Sequence, residues 1–139
     1  MMKRMTDKRL ARIEKEAGSA GPEEIRDFLR IKVGRRLLAI LLGGRDLRNL
    51  RRADAYLYKK VRLEEPEMRK IDECYLAARI IDGLRDFDKG FDMNLARNWL
   101  MLSCLHLGDN APICAIRDGR TYNHLSAIGA AKTFVLRQK

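Results

Sequence analysis

The chain has 139 residues and a formal net charge of +10, from 29 lysines and arginines against 19 acids. That length suffices for one core with at most two subdomains, and no run approaches the roughly 18 consecutive apolar residues of a membrane span. The opening MMKRMTDKR leads into charge instead of an apolar stretch, and Cys74, Cys104 and Cys114 show no C-x-x-C spacing, so a cytoplasmic protein with reduced thiols is expected.

The charge is unevenly placed. Residues 26–62 hold twelve basic and three acidic residues, whereas residues 63–139 hold eleven of each. A basic block of this kind is the footprint of a polyanion partner, because lysines and arginines that neutralise phosphates gain affinity through counterion release. The competing reading is a solvated face that serves solubility.

Apolar residues recur at i, i+3 and i+4 throughout, and no alternating β-branched run is bounded by hairpin turns, so an all-α chain is expected. Residues 1–21 form an N-terminal arm or frayed helix, with only Met5, Leu10 and Ile13 to bury. Pro22 with Glu23 and Glu24 then opens a helix carrying Ile25, Phe28, Leu29 and Ile31, which Gly34 breaks. Arg35 to Leu42 is apolar nearly all round and belongs at the centre of a core. Gly43-Gly44 stops it, Asp46 caps the next helix, and that helix passes Leu47 and Leu50 to about Tyr58. After a basic segment, Pro66 among acids opens a long helix with Met68, Ile71, Tyr75, Ala78, Ile81 and Leu84. A turn spans Asp86 to Asp92. Asp92 caps a helix bearing Leu95, Trp99, Leu100 and Leu102 that ends at Gly108; Pro112 opens a short helix closed by Gly119; Thr121 caps the last, which reaches Val135.

Residues 35–58 carry the functional reading. A short helix, a glycine turn and a basic helix in succession make a helix-turn-helix, with Ala39 at the crossing and Leu47, Leu50 and Leu57 as inner anchors. That register turns Arg48, Asn49, Arg52 and Ala55 outward. Arginine bonds bidentately to guanine and asparagine to adenine in the major groove, so Arg48, Asn49 and Arg52 are the expected base readers of double-stranded DNA. Arg35, Arg36, Arg45, Arg51, Lys59 and Lys60 are the expected phosphate contacts. The fold is read as a helix-turn-helix subdomain, residues 22–65, joined by a long helix to a C-terminal helical subdomain within residues 66–139.

Other chemistry has little support. Cys104, His106, Cys114 and His124 fit no zinc spacing and read as core or surface residues. Asp86-x-Asp88-x-Gly90-x-Asp92 lacks the glutamate of a calcium loop and reads as a solvated turn. Trp99 reads as core. No nucleophile elbow, phosphate loop or paired metal-binding histidines occur, so no enzyme and no cofactor are expected.

Three regions resemble a known family. Val33-Gly34-Arg35-Arg36-Leu37-Leu38-Ala39 followed by Gly43-Gly44-Arg45-Asp46-Leu47-Arg48-Asn49-Leu50-Arg51-Arg52 looks like the helix-turn-helix half of the Xre/MbcA/ParS antitoxin-like regulators. Met68 to Tyr75 looks like their connecting helix. Ala96-Arg97-Asn98-Trp99-Leu100, Leu107-Gly108, Ala111-Pro112, Ile116-Arg117-Asp118-Gly119 and Ala130-Ala131 follow the order of their C-terminal domain. The chain departs from that pattern at Ala53, where members often have tryptophan, and in a longer Tyr56 to Glu65 connector. The resemblance implies a bacterial or phage regulator, nucleoid-associated when bound to DNA, that represses its own operator as a homodimer. It also implies a RES-domain toxin that degrades NAD as a partner. In the alternative reading the chain acts mainly by neutralising that toxin through protein contact, with Thr133, Phe134, Val135, Leu136 and Arg137 as the partner-binding segment. A third reading is nucleic-acid binding without sequence preference, which equal affinity for RNA and random DNA would mark.

Overall fold

The computed structural model describes residues 4–137 apart from 87–89, 91, 103, 105, 106 and 122–124. Among these residues the chain is all-helical: α1 (Asp7–Gly18), α2 (Pro22–Lys32), α3 (Arg35–Leu42), α4 (Leu47–Lys59), α5 (Glu65–Asp82), α6 (Leu95–Met101), α7 (Pro112–Asp118) and α8 (Ala127–Arg137), with a 3-10 turn at Gly83–Asp86. The β structure among them is isolated: an antiparallel bridge between Cys104 and Asn110 and single-residue bridging at Leu125.

Local chemistry accounts for most of the boundaries. Prolines stand in the first turns of α2, α5 and α7, where a missing N–H costs nothing. Gly34 takes φ +94° between α2 and α3, and Gly119 ends α7 in the left-handed region at φ +65°. Lys60 closes α4 in the same left-handed region, so the connector to α5 is only residues 60–64.

The long helix α5 is the hub, packing against α1, α2, α3, α6, α7 and α8. Ile71, Cys74, Tyr75, Ala77, Ala78, Ile80 and Ile81 are all buried along it, as a helix enclosed on several sides requires. Burial pushes the Cys74 thiol up to about 12, so it stays a neutral core group. Phe28 of α2 meets Tyr75 edge-on at 5.3 Å between ring centroids. One contiguous cluster of buried apolar side chains runs from Met5 to Val135, so the two ends of the chain share a core.

Four expectations need correction. The described part of the expected arm, residues 4–21, is not frayed: Thr6 caps α1 through the Arg9 N–H, and Met5, Leu10, Ile13 and Ala17 are buried, with Glu16 and Glu14 paired to Arg79 and Lys132. The helix carrying Trp99 ends at Met101, and Gly108 instead turns the loop that returns to α7, at φ +63°. Thr121 caps nothing in α8, which starts at Ala127 with the Gly129 N–H donating to Ser126 Oγ. Asp46 holds the N-cap position of α4, but its carboxylate accepts from the Asn49 amide and not from a backbone N–H. Trp99 is buried and tilts against Phe134 at 6.3 Å. Asp88, His106 and His124 lie outside the described residues. No helix among the described residues is long and apolar enough to cross a membrane.

Candidate nucleic-acid interface

The hairpin α3–α4 is closely packed, its turn made by Gly43, whose N–H reaches the carbonyls of Ala39 and Ile40, and Gly44, whose N–H also reaches Ala39. A Cβ on Gly43 would stand 3.0 Å from the Asn49 amide nitrogen, so the turn closes on a side chain of α4. Arg26 of α2 braces the far end of α4, donating to the Tyr56 carbonyl at 2.9 Å with its guanidinium over the Tyr56 ring.

The inner face of α4 is Ala53, Tyr56 and Leu57, all buried. Leu47, expected as an inner anchor, is 60% exposed, and Leu50 is only partly buried. The register is therefore rotated from the expected one, and at 100° per residue the face opposite Ala53 is centred on Arg51, Ala55 and Tyr58, flanked by Arg48 and Leu47. Among the expected base readers, Arg48 stands exposed on this face. The other two turn aside. Arg52 is half-buried, donating to the Glu67 carboxylate of α5, to the Leu42 carbonyl and to Asn49 Oδ1. Asn49 is held in turn between Arg52 and Asp46 against Gly43. Both sit in the structural network of the turn, a correction to their outward placement.

The expected phosphate contacts also divide. Arg35 is bound bidentately by Asp54, with both N···O distances 2.8 Å, and that hydrogen-bonded pairing lowers the Asp54 carboxyl below its ordinary value. Lys60 pairs with Glu23 at 2.9 Å, which lowers Glu23 likewise. Arg36, Arg45 and Arg51 are exposed, and no carboxylate among the described residues pairs with them; Lys59 is exposed too, but its charge acts on the Asp54 carboxyl. Arg62, not among the expected phosphate contacts, is also exposed with no carboxylate partner among the described residues. Asp54, Glu67 and Glu23 thus neutralise Arg35, Arg52 and Lys60, and Arg36, Arg45, Arg51 and Arg62 are left without a carboxylate partner around α4 among the described residues.

Between α4, the start of α3 and α6 lies an open groove of about 780 Å³. Arg97 of α6 reaches across 64 residues of sequence to donate to the Val33 carbonyl at 2.9 Å, and so fixes one wall. Sequence spacing carries no sign of Arg97, because the contact exists only after α6 docks. Tyr58 was legible in principle: Ala53 and Leu57 at i, i+4 with Tyr56 define an inner stripe that puts Tyr58 outside.

The expected partner-binding segment lies within α8. Val135 is fully buried, Phe134 packs toward Trp99, and the Thr133 hydroxyl donates to the Gly129 carbonyl, so only Leu136 and Arg137 of the five are exposed. Among the described residues no group of His, Cys, Asp and Glu is placed to hold a metal ion. No protein-family model, curated protein or solved structure matches the chain.

Proposed function

We propose that this protein binds double-stranded DNA in a sequence-dependent way, as a helix-turn-helix regulator of the antitoxin type that α3 and α4 make together. The observation that carries this reading is the sorting of charge on the hairpin. Asp54, Glu67 and Glu23 pair with Arg35, Arg52 and Lys60 on its flanks, while Arg48 and Arg51 stand exposed on the outer face of α4 without a carboxylate partner among the described residues. A face serving solubility alone would have no need to segregate its counter-charges in this manner, since mixed signs serve solubility better. Arg48 near the start of α4 is the base-reading candidate, because recognition helices contact base edges with their N-terminal residues. Arg36, Arg45, Arg51, Lys59 and Arg62 are the phosphate candidates. Two copies would offer two such helices to half-sites about one helical turn apart.

The test is binding to the DNA upstream of the chain's own gene against shuffled DNA of equal length, at about 150 mM salt, where non-specific attraction is weak. A preference of about a thousandfold or more that falls when Arg48→Ala is introduced is the expected result. Equal affinity for both DNAs removes the regulator reading and leaves toxin neutralisation through protein contact as the role to test.

A further inference from the structure

The groove beside α4 has a composition that duplex DNA alone does not explain. Five arginines line it, Arg30, Arg35, Arg36, Arg45 and Arg97, and no carboxylate does. Its other walls are apolar: Val33, Leu37, Ile40, Leu50 and Met101. Tyr58 closes it with a ring that is 59% exposed. Its volume of about 780 Å³ lies within the usual range for small-molecule sites, about 300–1,000 Å³. A DNA backbone passing the hairpin would use the rim cations and leave the apolar walls empty.

We propose that this groove binds a nucleoside phosphate. Three of the arginines are committed to holding the walls: Arg35 to Asp54, Arg97 to the Val33 carbonyl, and Arg30 to Asp27 at 3.4 Å. Arg36 and Arg45 have no partner among the described residues and are the guanidiniums available to grip a phosphate, bidentately and in fixed geometry. An anion with no organic body would satisfy them and leave Tyr58, Met101 and the partly exposed Ile40 and Leu50 in water. A flat nucleobase against Tyr58 and the arginine planes covers that surface, the stacking mode by which proteins hold unpaired bases. Gly34 has no side chain, and so lets the Arg97 guanidinium pack against the backbone of this wall.

The site shares Arg36 and Arg45 with the phosphate contacts assigned to DNA, so a filled groove would weaken DNA binding. That consequence rests on the DNA reading; the binding itself does not.

The experiment is calorimetric titration of the full chain, without DNA, by ATP and separately by inorganic tripolyphosphate. ATP is expected to bind at least about tenfold more tightly than tripolyphosphate, a difference that would come from base stacking. The double variant Arg36→Ala/Arg45→Ala, which breaks no hydrogen bond or ion pair among the described residues, should weaken ATP at least about tenfold. Tyr58→Ala should erase the preference for ATP, and Arg12→Ala on α1, away from the groove, should change nothing. Tripolyphosphate binding as tightly as ATP, unaltered binding in the double variant, or no saturation by about 1 mM would each overturn the proposal. Adding operator DNA afterwards separates the two readings: ATP binding without DNA binding leaves the nucleotide site standing and removes only its regulatory consequence.

Discussion

At the scale of single residues, the four arginines nearest the turn of the hairpin divide into two kinds. Arg45, Arg48 and Arg51 are exposed, whereas Arg52 joins α4 to α5 through Glu67 and to the end of α3 through the Leu42 carbonyl. Arg48→Ala should therefore lower operator affinity by about 1–3 kcal/mol and relax base preference, with no change in the unfolding midpoint. Arg52→Ala should do the reverse. It strands the Glu67 carboxylate, whose side chain is only 18% exposed, and should cost about 1–3 kcal/mol of stability in denaturant unfolding. If the two variants show the same pattern, the division of roles drawn from the geometry is wrong. Glu73 on α5 gives a second residue-scale prediction. Burial raises its carboxyl above the ordinary value, so its folded-state pKa lies above the unfolded one. The group then favours the folded state most below the ordinary carboxylate range, and that contribution is lost as pH rises through the folded value. Glu73→Gln should stabilise the protein at pH 7, and the gain should shrink to nothing as the pH falls to about 3, where the carboxyl of the parent is protonated in both states. Thermal melts of both proteins across that range decide it.

At the scale of elements, the glycines that separate helices were legible because their demand is local. Gly34 and Gly119 both take positive φ, yet their surroundings differ: a Cβ on Gly34 would stand 3.2 Å from an Arg97 guanidinium nitrogen, while one on Gly119 would meet nothing within 4 Å. Gly119→Ala should cost the backbone penalty alone, about 1–2 kcal/mol. Gly34→Ala should cost more than that, because Arg97 is held by the Val33 carbonyl and gives way only by loosening the groove wall. Chemical denaturation of the pair is the measurement, and equal losses would show that Arg97 is free to move. The proline starts of α2, α5 and α7 were legible for the same local reason. The misplacements share the opposite cause. The true start of α8, the early end of α6 and the docking of α1 are set by packing against α5 and its neighbours, contacts that join residues far apart in the chain. Leu47 was misread because leucine at helical spacing says which residues are apolar, not which of two apolar stripes wins. The stripe of Ala53, Tyr56 and Leu57 wins here, since alanine lets α4 approach its neighbours closely and Leu47 sits at the first residue of the helix, beyond their reach.

At the scale of the whole molecule, the all-helical class and the basic block were legible from composition and periodicity, whereas which charges stay bare was not. That depends on acids at a distance: Glu67 and Glu23 lie 15 and 37 residues from the cations they neutralise. After that neutralisation the cations around the hairpin without partners among the described residues are Arg36, Arg45, Arg48, Arg51 and Arg62, while Lys59 stands near the Asp54 carboxylate. If most of these meet phosphates, the log–log slope of DNA affinity against salt should be about −4 to −5 per protomer, a loss of about 300- to 1,000-fold between 50 and 200 mM. Arg51→Ala should flatten the slope by about 1, for every DNA sequence alike, because a phosphate contact carries no base information. Arg12→Ala, equal in charge but on α1, should leave the slope as it was. This comparison separates a localised phosphate contact from a general excess of positive charge. A diffuse solubility charge predicts that Arg12 and Arg51 weigh the same, and a shallow slope insensitive to both would mean that the basic block meets water and not DNA.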